Sequence, residues 1–263
     1  MIHQFDHRWA TYDDNDIRDG SDAEKINPSF EPTARYWVPE HEVANRLAGK
    51  GWTRGWLLGW RDMSRATDER TAIFGFLPRF AVGHTCPLIF LTVDPTFWAA
   101  LVANLNSLIV DFVARLKISG THVTYFYLKQ FSVLPPSFYA PADLAFVIPR
   151  VLELTYTSHS MAPFARDLGY DGRPFTWDKD RRAHLRADLD AWYALAYGLS
   201  RDELRYVLDP KEMMGADYPS ETFRVLQKNE IATYGEYRTA RLVLAAYDRL
   251  VSEGMRPRTE GSR

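Results

Sequence analysis

Two short stretches of this chain carry side chains suited to reading a nucleic acid. The first, Arg61-Asp62-Met63-Ser64-Arg65-Ala66-Thr67-Asp68-Glu69-Arg70-Thr71, spaces three arginines that can form bidentate contacts with guanine edges or clamp phosphates. The second, Lys117 to Gln130, sets Thr121, His122, Tyr125 and Gln130 among the cations Lys117 and Lys129. Arg61, Arg65, Arg70, Lys117 and Lys129 are candidates for phosphate or guanine contacts. Thr121, His122, Tyr125 and Gln130 are candidates for base-edge reading and stacking. Each stretch also has a plainer reading. The arginines of the first can pair with Asp62, Asp68 and Glu69 in a surface loop, and the second can be a half-buried strand with its polar face in water. A third cationic element, the C-terminal helix with Arg238, Arg241 and Arg249, has an apolar stripe of Leu242, Ala245, Ala246 and Leu250, so packing is its main role.

No pattern for covalent chemistry accompanies these groups. A DNA methyltransferase acting alone needs a glycine-rich turn for S-adenosylmethionine, and an amino-methylating one also needs an Asn/Asp/Ser-Pro-Pro-aromatic loop to grip the flipped base. Asn27-Pro28-Ser29-Phe30 lacks the second proline, Pro135-Pro136 follows a leucine, and Gly49-Lys50-Gly51 completes no dinucleotide or phosphate loop. Neither a Gly-x-Ser-x-Gly elbow nor a His-Glu-x-x-His zinc helix occurs. His3 and His7 could share a helix face as metal ligands, but a solvated terminus accounts for them better. Asp209-Pro210-Lys211 has the acid-x-lysine spacing of many nucleases but reads as a turn. The expectation is a chain that is not catalytic by itself and holds no cofactor or metal.

Composition sets the bounds. At 263 residues with 46% hydrophobic and 14% aromatic content, the chain can bury a substantial core. Its net charge of −2 argues against indiscriminate polyanion binding. The charge is uneven, however: residues 1–45 hold ten acidic groups against four basic ones, and residues 53–135 hold eight basic against five acidic, so a local cationic surface is possible. The single cysteine, Cys86, excludes an internal disulfide and a cysteine-rich zinc site. The N-terminus has no apolar signal core, and the apolar runs are too short to span a bilayer. A cytoplasmic protein without membrane association is expected.

Periodicity predicts the elements that would position these groups. Strands are expected over 52–61, 70–77, 88–93 and 122–133, and a long helix from Pro95 to about Lys117, ended by Gly120. Helices follow over 141–155, 180–197, 200–207, 220–229 and 233–253, with a loop from Ser158 to Trp177. The fold class is mixed α+β. Its expected domains are an acidic N-terminal arm over residues 1–34, lying on a partner, then an α/β target-recognition module over 35–138, a helical module over 139–255, and a disordered tail over 256–263.

Several strings together resemble the C-terminal region of Eco57I-like restriction-modification DNA adenine methyltransferases, the group that includes type IIG enzymes and the methylases of BREX- and DISARM-type phage defence. They are Arg61-Asp62 with Ala66 to Thr71, Gly83-His84-Thr85 with Pro87-Leu88, and Leu105-Asn106-Ser107 through Asp111, Ala114-Arg115 and Lys117. Gly120-Thr121-His122, Tyr127 to Gln130, Leu134-Pro135-Pro136, Asp190 to Leu199, Leu208-Asp209-Pro210, Glu221 to Leu226 and Gly235 to Thr239 continue the pattern. The resemblance runs from about Arg35 to Leu250 and implies a specificity-like module that reads double-stranded DNA. The methyltransferase core, with S-adenosylmethionine expected on it, is missing from this chain, which would be either a separate specificity-like subunit working with a core supplied in trans or a fragment of a longer enzyme. A non-catalytic scaffold or protein-interaction subunit of a defence complex is the alternative, and an independent enzyme a third.

Overall fold

A computed structural model describes residues 2–14, 16–218 and 222–258. The fold is mixed α+β and mainly helical. In chain order the elements begin with β1 (Ala10–Asp13), β2 (Asp16–Asp19), α1 (Asp22–Ile26), α2 (Glu40–Ala48), β3 (Trp56–Trp60), β4 (Phe74–Pro78) and β5 (Leu88–Ile89). Then come α3 (Pro95–Asn106), α4 (Leu108–Lys117), α5 (Tyr125–Leu128), α6 (Pro141–Thr155), α7 (Ala162–Asp167) and α8 (Lys179–Ala196). The last are α9 (Arg201–Leu208), α10 (Pro210–Met214), α11 (Arg224–Tyr234) and α12 (Arg238–Ser252).

These elements form two compact units that are each discontinuous in sequence. The first comprises Met1–Asp62, Ile73–Val102 and Leu134–Lys179, and the second Met63–Ala72, Ala103–Val133 and Asp180–Arg263. The serial division at residues 34 and 138 expected from composition is therefore not how the chain packs, because each unit's core draws on segments far apart in sequence.

The first unit is built on an antiparallel sheet ordered β4-β3-β5, with Gly59 opposite Gly75 and Trp60 opposite Phe74. Every residue of β3 and β4 is buried, so both faces of these strands are covered. Gly59 has to be glycine: a Cβ there would lie 2.9 Å from Cys86 Sγ. Trp56 packs edge-on against Phe76, Trp98 and Phe164, at centroid distances of 5.3, 5.4 and 5.4 Å. The N-terminal residues are part of this unit and not an arm. Ile2, Phe5 and Asp6 are buried, and Arg8 is 0% exposed. Its guanidinium donates to the carbonyls of Lys25 (2.9 Å), Thr157 (3.0 Å) and Asn27 (3.1 Å), so the acidic N-terminal region closes over a buried cation. The expected loop over 158–177 contains a 3₁₀ turn, His159–Met161, and then α7.

The second unit is helical. The long helix expected from Pro95 to Lys117 breaks into α3 and α4, bent by 60°. Ser107 causes the break by adopting extended backbone and capping α4, its hydroxyl accepting from Val110 N. Ile118, in extended backbone, ends α4, so the helix stops two residues before Gly120. The strand expected over 122–133 is instead the single helical turn α5. Apart from the isolated Met63–His122 bridge, no described strand of this unit pairs with it, so its backbone bonds are made locally, Lys129 N donating to Tyr125 O at 3.1 Å.

α8, α9, α11 and α12 lie near the expected helical stretches, whereas α10 forms where a turn was expected; Ser220 and Glu221 fall outside the described residues. Ser200 and Glu203 form the capping box that starts α9, and Asp209, read as part of a turn, caps α10 by accepting from Lys211 N. The tail is anchored as far as residue 258: Arg258 N donates to Leu195 O at 2.9 Å, and its guanidinium lies over Trp192. Residues 259–263 of the expected disordered tail lie outside the described residues. Among the described residues no single helix is long and apolar enough to cross a membrane. The bent pair α3–α4 passes that test only jointly, and half of the residues of α4 are buried in protein.

Candidate nucleic-acid interface

A buried charge on α4 holds the 63–72 part of the first stretch in the second unit. Asp111 interrupts the apolar run Leu108-Ile109-Val110-Asp111-Phe112-Val113 and is 0% exposed. A buried carboxylate must be hydrogen-bonded and paired. Its Oδ1 accepts from the backbone N–H groups of Thr71 (2.9 Å) and Ala72 (2.8 Å), and its Oδ2 lies 3.0 Å from Arg70 and 3.4 Å from Arg115. Arg115, one turn further along α4, donates to the carbonyls of Ala66 (2.8 Å), Asp68 (2.9 Å) and Glu69 (2.8 Å). Burial lowers the Arg115 pKa, opposed first by Asp111, but an arginine stays charged. The loop over residues 63–72 is thus clamped onto α4.

The same loop holds the turn that follows α4. Ser64 N donates to Thr121 O at 3.1 Å, and Met63 and His122 form an antiparallel bridge. These contacts bring Arg65 beside Thr121 and His122 in the fold. Arg65, Lys117, Thr121, His122, Tyr125, Lys129 and Gln130 are all exposed. Arg65, Lys117 and Lys129 form no ion pair among the described residues. The amide of Gln130 is partly committed, its Nε2 donating to Phe126 O at 3.1 Å. Leu116 (74% exposed), Phe126 (71%) and Met63 (57%) lie among these cations and were missed from sequence because apolar residues are ordinarily assigned to the core.

Arg70 is a correction. It is 7% exposed, bound to Asp111 and donating to Asn106 O, so it cannot also reach a phosphate or base edge. The partner is a carboxylate on α4 and not Asp62, Asp68 or Glu69 nearby in sequence. Arg61 is also set apart: it belongs to the first unit, where its backbone N–H bonds Ile73 O at 2.9 Å just after β3.

A second buried carboxylate, Asp190 of α8, accepts from Leu108 N at 2.7 Å and so helps to start α4. Burial pushes its pKa up to about 6, against the opposing pull of Arg70, the Leu108 N–H and Arg186. That value lies above the carboxyl's unfolded pKa, so ionised Asp190 disfavours the native state increasingly as pH rises from about 4 to about 6. Asp190→Asn keeps an acceptor for Leu108 and cannot ionise. Its stability relative to wild type, read from urea midpoints, should rise by about 3 kcal/mol across that window. A pH-independent difference would show that Asp190 ionises normally.

The first unit holds a hydroxyl–imidazole–carboxylate cluster. Ser158 Oγ, Ser160 Oγ and Glu31 Oε2 lie 3.3, 3.4 and 3.4 Å from one atom, His7 Nε2. A nucleophile relay needs the hydroxyl and the carboxylate on different ring nitrogens, so this arrangement positions Glu31 and activates no serine.

Comparison with protein-family models, curated proteins and solved structures finds no match for this chain.

Proposed function

We propose that the chain is a DNA sequence-recognition module of a restriction-modification or phage-defence methyltransferase, acting with a methyltransferase core that binds S-adenosylmethionine and is supplied in trans or by sequence outside this chain. One observation carries this reading. Three cations without ion-pair partners among the described residues, Arg65, Lys117 and Lys129, are exposed in the same unit as the exposed rings of Tyr125 and Phe126, the two segments being tied at Ser64–Thr121. Cations meet phosphates, and aromatic faces and polar side chains meet bases. The family resemblance stated above supports the pairing with a methyltransferase.

The scaffold alternative has an observation of its own in the first unit. Tyr36 and Trp37 are 78% and 79% exposed, with the Arg35 guanidinium over the Tyr36 ring and Glu40 and Glu42 following in sequence, an exposed aromatic surface suited to a protein partner. Titrating a fluorescent duplex at two or more salt concentrations between 50 and 200 mM separates the readings. Each phosphate contact adds about 0.9 to the salt slope, so Arg65→Ala/Lys117→Ala/Lys129→Ala should flatten it by about 2–3 and weaken binding. A wild-type chain with no salt-dependent binding would overturn the recognition reading, and an unchanged slope in the triple variant would overturn this choice of surface.

A further inference from the structure

The α5 turn of the second unit is a short excursion from the core whose two ends are pinned. Val123 before it and Phe131 after it are buried, and the Tyr197 hydroxyl donates to Ser132 O at 2.8 Å. The turn is closed by its own backbone: Leu128 N donates to Thr124 O at 3.0 Å, Lys129 N to Tyr125 O at 3.1 Å, and Gln130 N to Tyr127 O at 2.9 Å. At its tip the Phe126 ring is 71% exposed. The ring meets Tyr127 edge-on at a centroid distance of 5.5 Å, and the Tyr127 hydroxyl lies 3.3 Å from Ser119 Oγ, just after α4. Phe126 is therefore held outward on a fixed turn, which lowers the entropy lost when a partner covers it.

The segment that carries this ring is free of acidic residues. From Phe112 to Ala142 there is no aspartate or glutamate, and the cations are Arg115, Lys117 and Lys129. Arg115 is spent on Asp111 and the loop carbonyls, but Lys117 and Lys129 are exposed and form no ion pair among the described residues. Lys129 follows Phe126 by three residues on the same turn, which puts the two side by side. The loop tied to this segment at Ser64–Thr121 adds Arg65 and two carboxylates: Asp68 accepts from Arg65 N at 2.9 Å, and Glu69 accepts from Asn229 at 3.0 Å. Among the exposed side chains from Thr121 to Gln130, Phe126 alone has no hydrogen-bonding group. It can neither read a base edge nor meet a phosphate, and gains only by leaving water against an apolar surface. On a duplex the apolar surfaces are the faces of the stacked bases and the thymine methyls.

We propose that Phe126 is a wedge that enters a DNA duplex between two neighbouring base pairs, unstacking and kinking that step, while Lys117 and Lys129 meet the phosphates on either side. This inference rests on the DNA-recognition reading and adds a deformation of the DNA to it. A gap between base pairs covers both faces of the ring, whereas a thymine methyl covers a small part of one, so the gap removes more apolar surface from water. Recognition then depends on how readily a base step unstacks as well as on base edges.

The test uses the full chain, Phe126→Ala and Phe126→Leu with a mixed-sequence duplex carrying a fluorophore pair on its ends, the same duplex with a central T·T mismatch, and the same duplex with deoxyuridine in place of thymidine. The wild-type chain is expected to draw the duplex ends together and to prefer the mismatched duplex, whose stacking is already weakened. Phe126→Ala, at an exposed position that does not endanger folding, should lose the bend and bind roughly tenfold more weakly, with the salt slope unchanged because no phosphate contact is removed. Phe126→Leu, still apolar, should keep the bend. Wild-type affinity in Phe126→Ala, a bend that survives that substitution, or no preference for the mismatch would each overturn the proposal. An effect of Phe126→Ala that disappears on the deoxyuridine duplex would overturn it too, by assigning the ring to thymine methyls. Loss of binding to phosphatidylserine vesicles in Phe126→Ala, with duplex binding unchanged, would assign the ring to a bilayer instead. Salt-dependent duplex binding without a bend overturns the wedge alone, whereas absence of such binding overturns the recognition reading as well.

Discussion

Replacing Asp111 by asparagine is expected to destabilise the second unit by about 3–5 kcal/mol, the usual consequence of removing one partner from a buried ion pair. Asparagine matches the shape of aspartate, so the loss is electrostatic. The guanidiniums of Arg70, 3.0 Å away, and Arg115, 3.4 Å away, would be left without the carboxylate that neutralises them. The amide oxygen could still serve Thr71 and Ala72, whose N–H groups are 2.9 and 2.8 Å from Oδ1, but its NH₂ group would face donors where Oδ2 now accepts. For a protein of this size the melting temperature should fall by on the order of 10 °C. Asp68→Asn is the control: it caps one backbone N–H in a half-exposed loop, and about 1 kcal/mol or less is expected. The measurement is chemical and thermal unfolding of both variants side by side. If Asp111→Asn melts with wild type, the clamp contributes nothing and the placement of Arg65 needs another cause. Because the clamp fixes the loop that carries Arg65, the variant should also bind duplex more weakly below its melting temperature.

The second large effect is expected in the first unit. Lys25 is 3% exposed, with its ammonium 2.8 Å from the buried carboxylate of Asp6 and within 5.0 and 4.6 Å of the ring centroids of Trp9 and Trp177. Lys25→Met keeps the stem and removes the charge, leaving Asp6 buried without its lysine. A loss of about 3–5 kcal/mol follows. Adding Asp6→Leu should restore much of it, because a buried pair replaced by apolar groups is often neutral while a broken pair is not. Asp6 also accepts from Arg8 N at 2.9 Å, so recovery should fall short of complete. Equal destabilisation by the single and double variants would mean that packing around Trp9 and Trp177 matters and the charge does not. Either loss would mark the N-terminal residues as core, in accord with an Arg8 that is 0% exposed.

The cationic–aromatic surface and the buried clamp explain each other. Arginines near in sequence have opposite fates: Arg65 is exposed and Arg70 is consumed by Asp111. The strings Ala66 to Thr71 and Leu105 to Lys117 carry the family resemblance, and they are also the segments joined by Asp111 and Arg115.

The sequence by itself determined the mixed α+β class and most of the helices. Apolar spacing, the Ser200–Glu203 capping box and the proline at the start of α6 act between residues a few positions apart, and those interactions are written in the order of the chain. Ser107 is also a local signal, an N-cap residue inside an apolar run, and its reading as helix interior hid the 60° break. Asp111 and Arg115 were detectable as an acid and a base four apart amid apolar neighbours, but their partners Thr71 and Ala66 lie 40 and 49 residues away. Only the tertiary structure decided that Arg70 is internal, that Arg65 sits beside Thr121, that the acidic N-terminus closes over Arg8, and that Tyr125–Leu128 is helical. Each of these outcomes depends on whether a charge or backbone group finds a distant partner once water is excluded, and no period or propensity in the chain encodes that pairing.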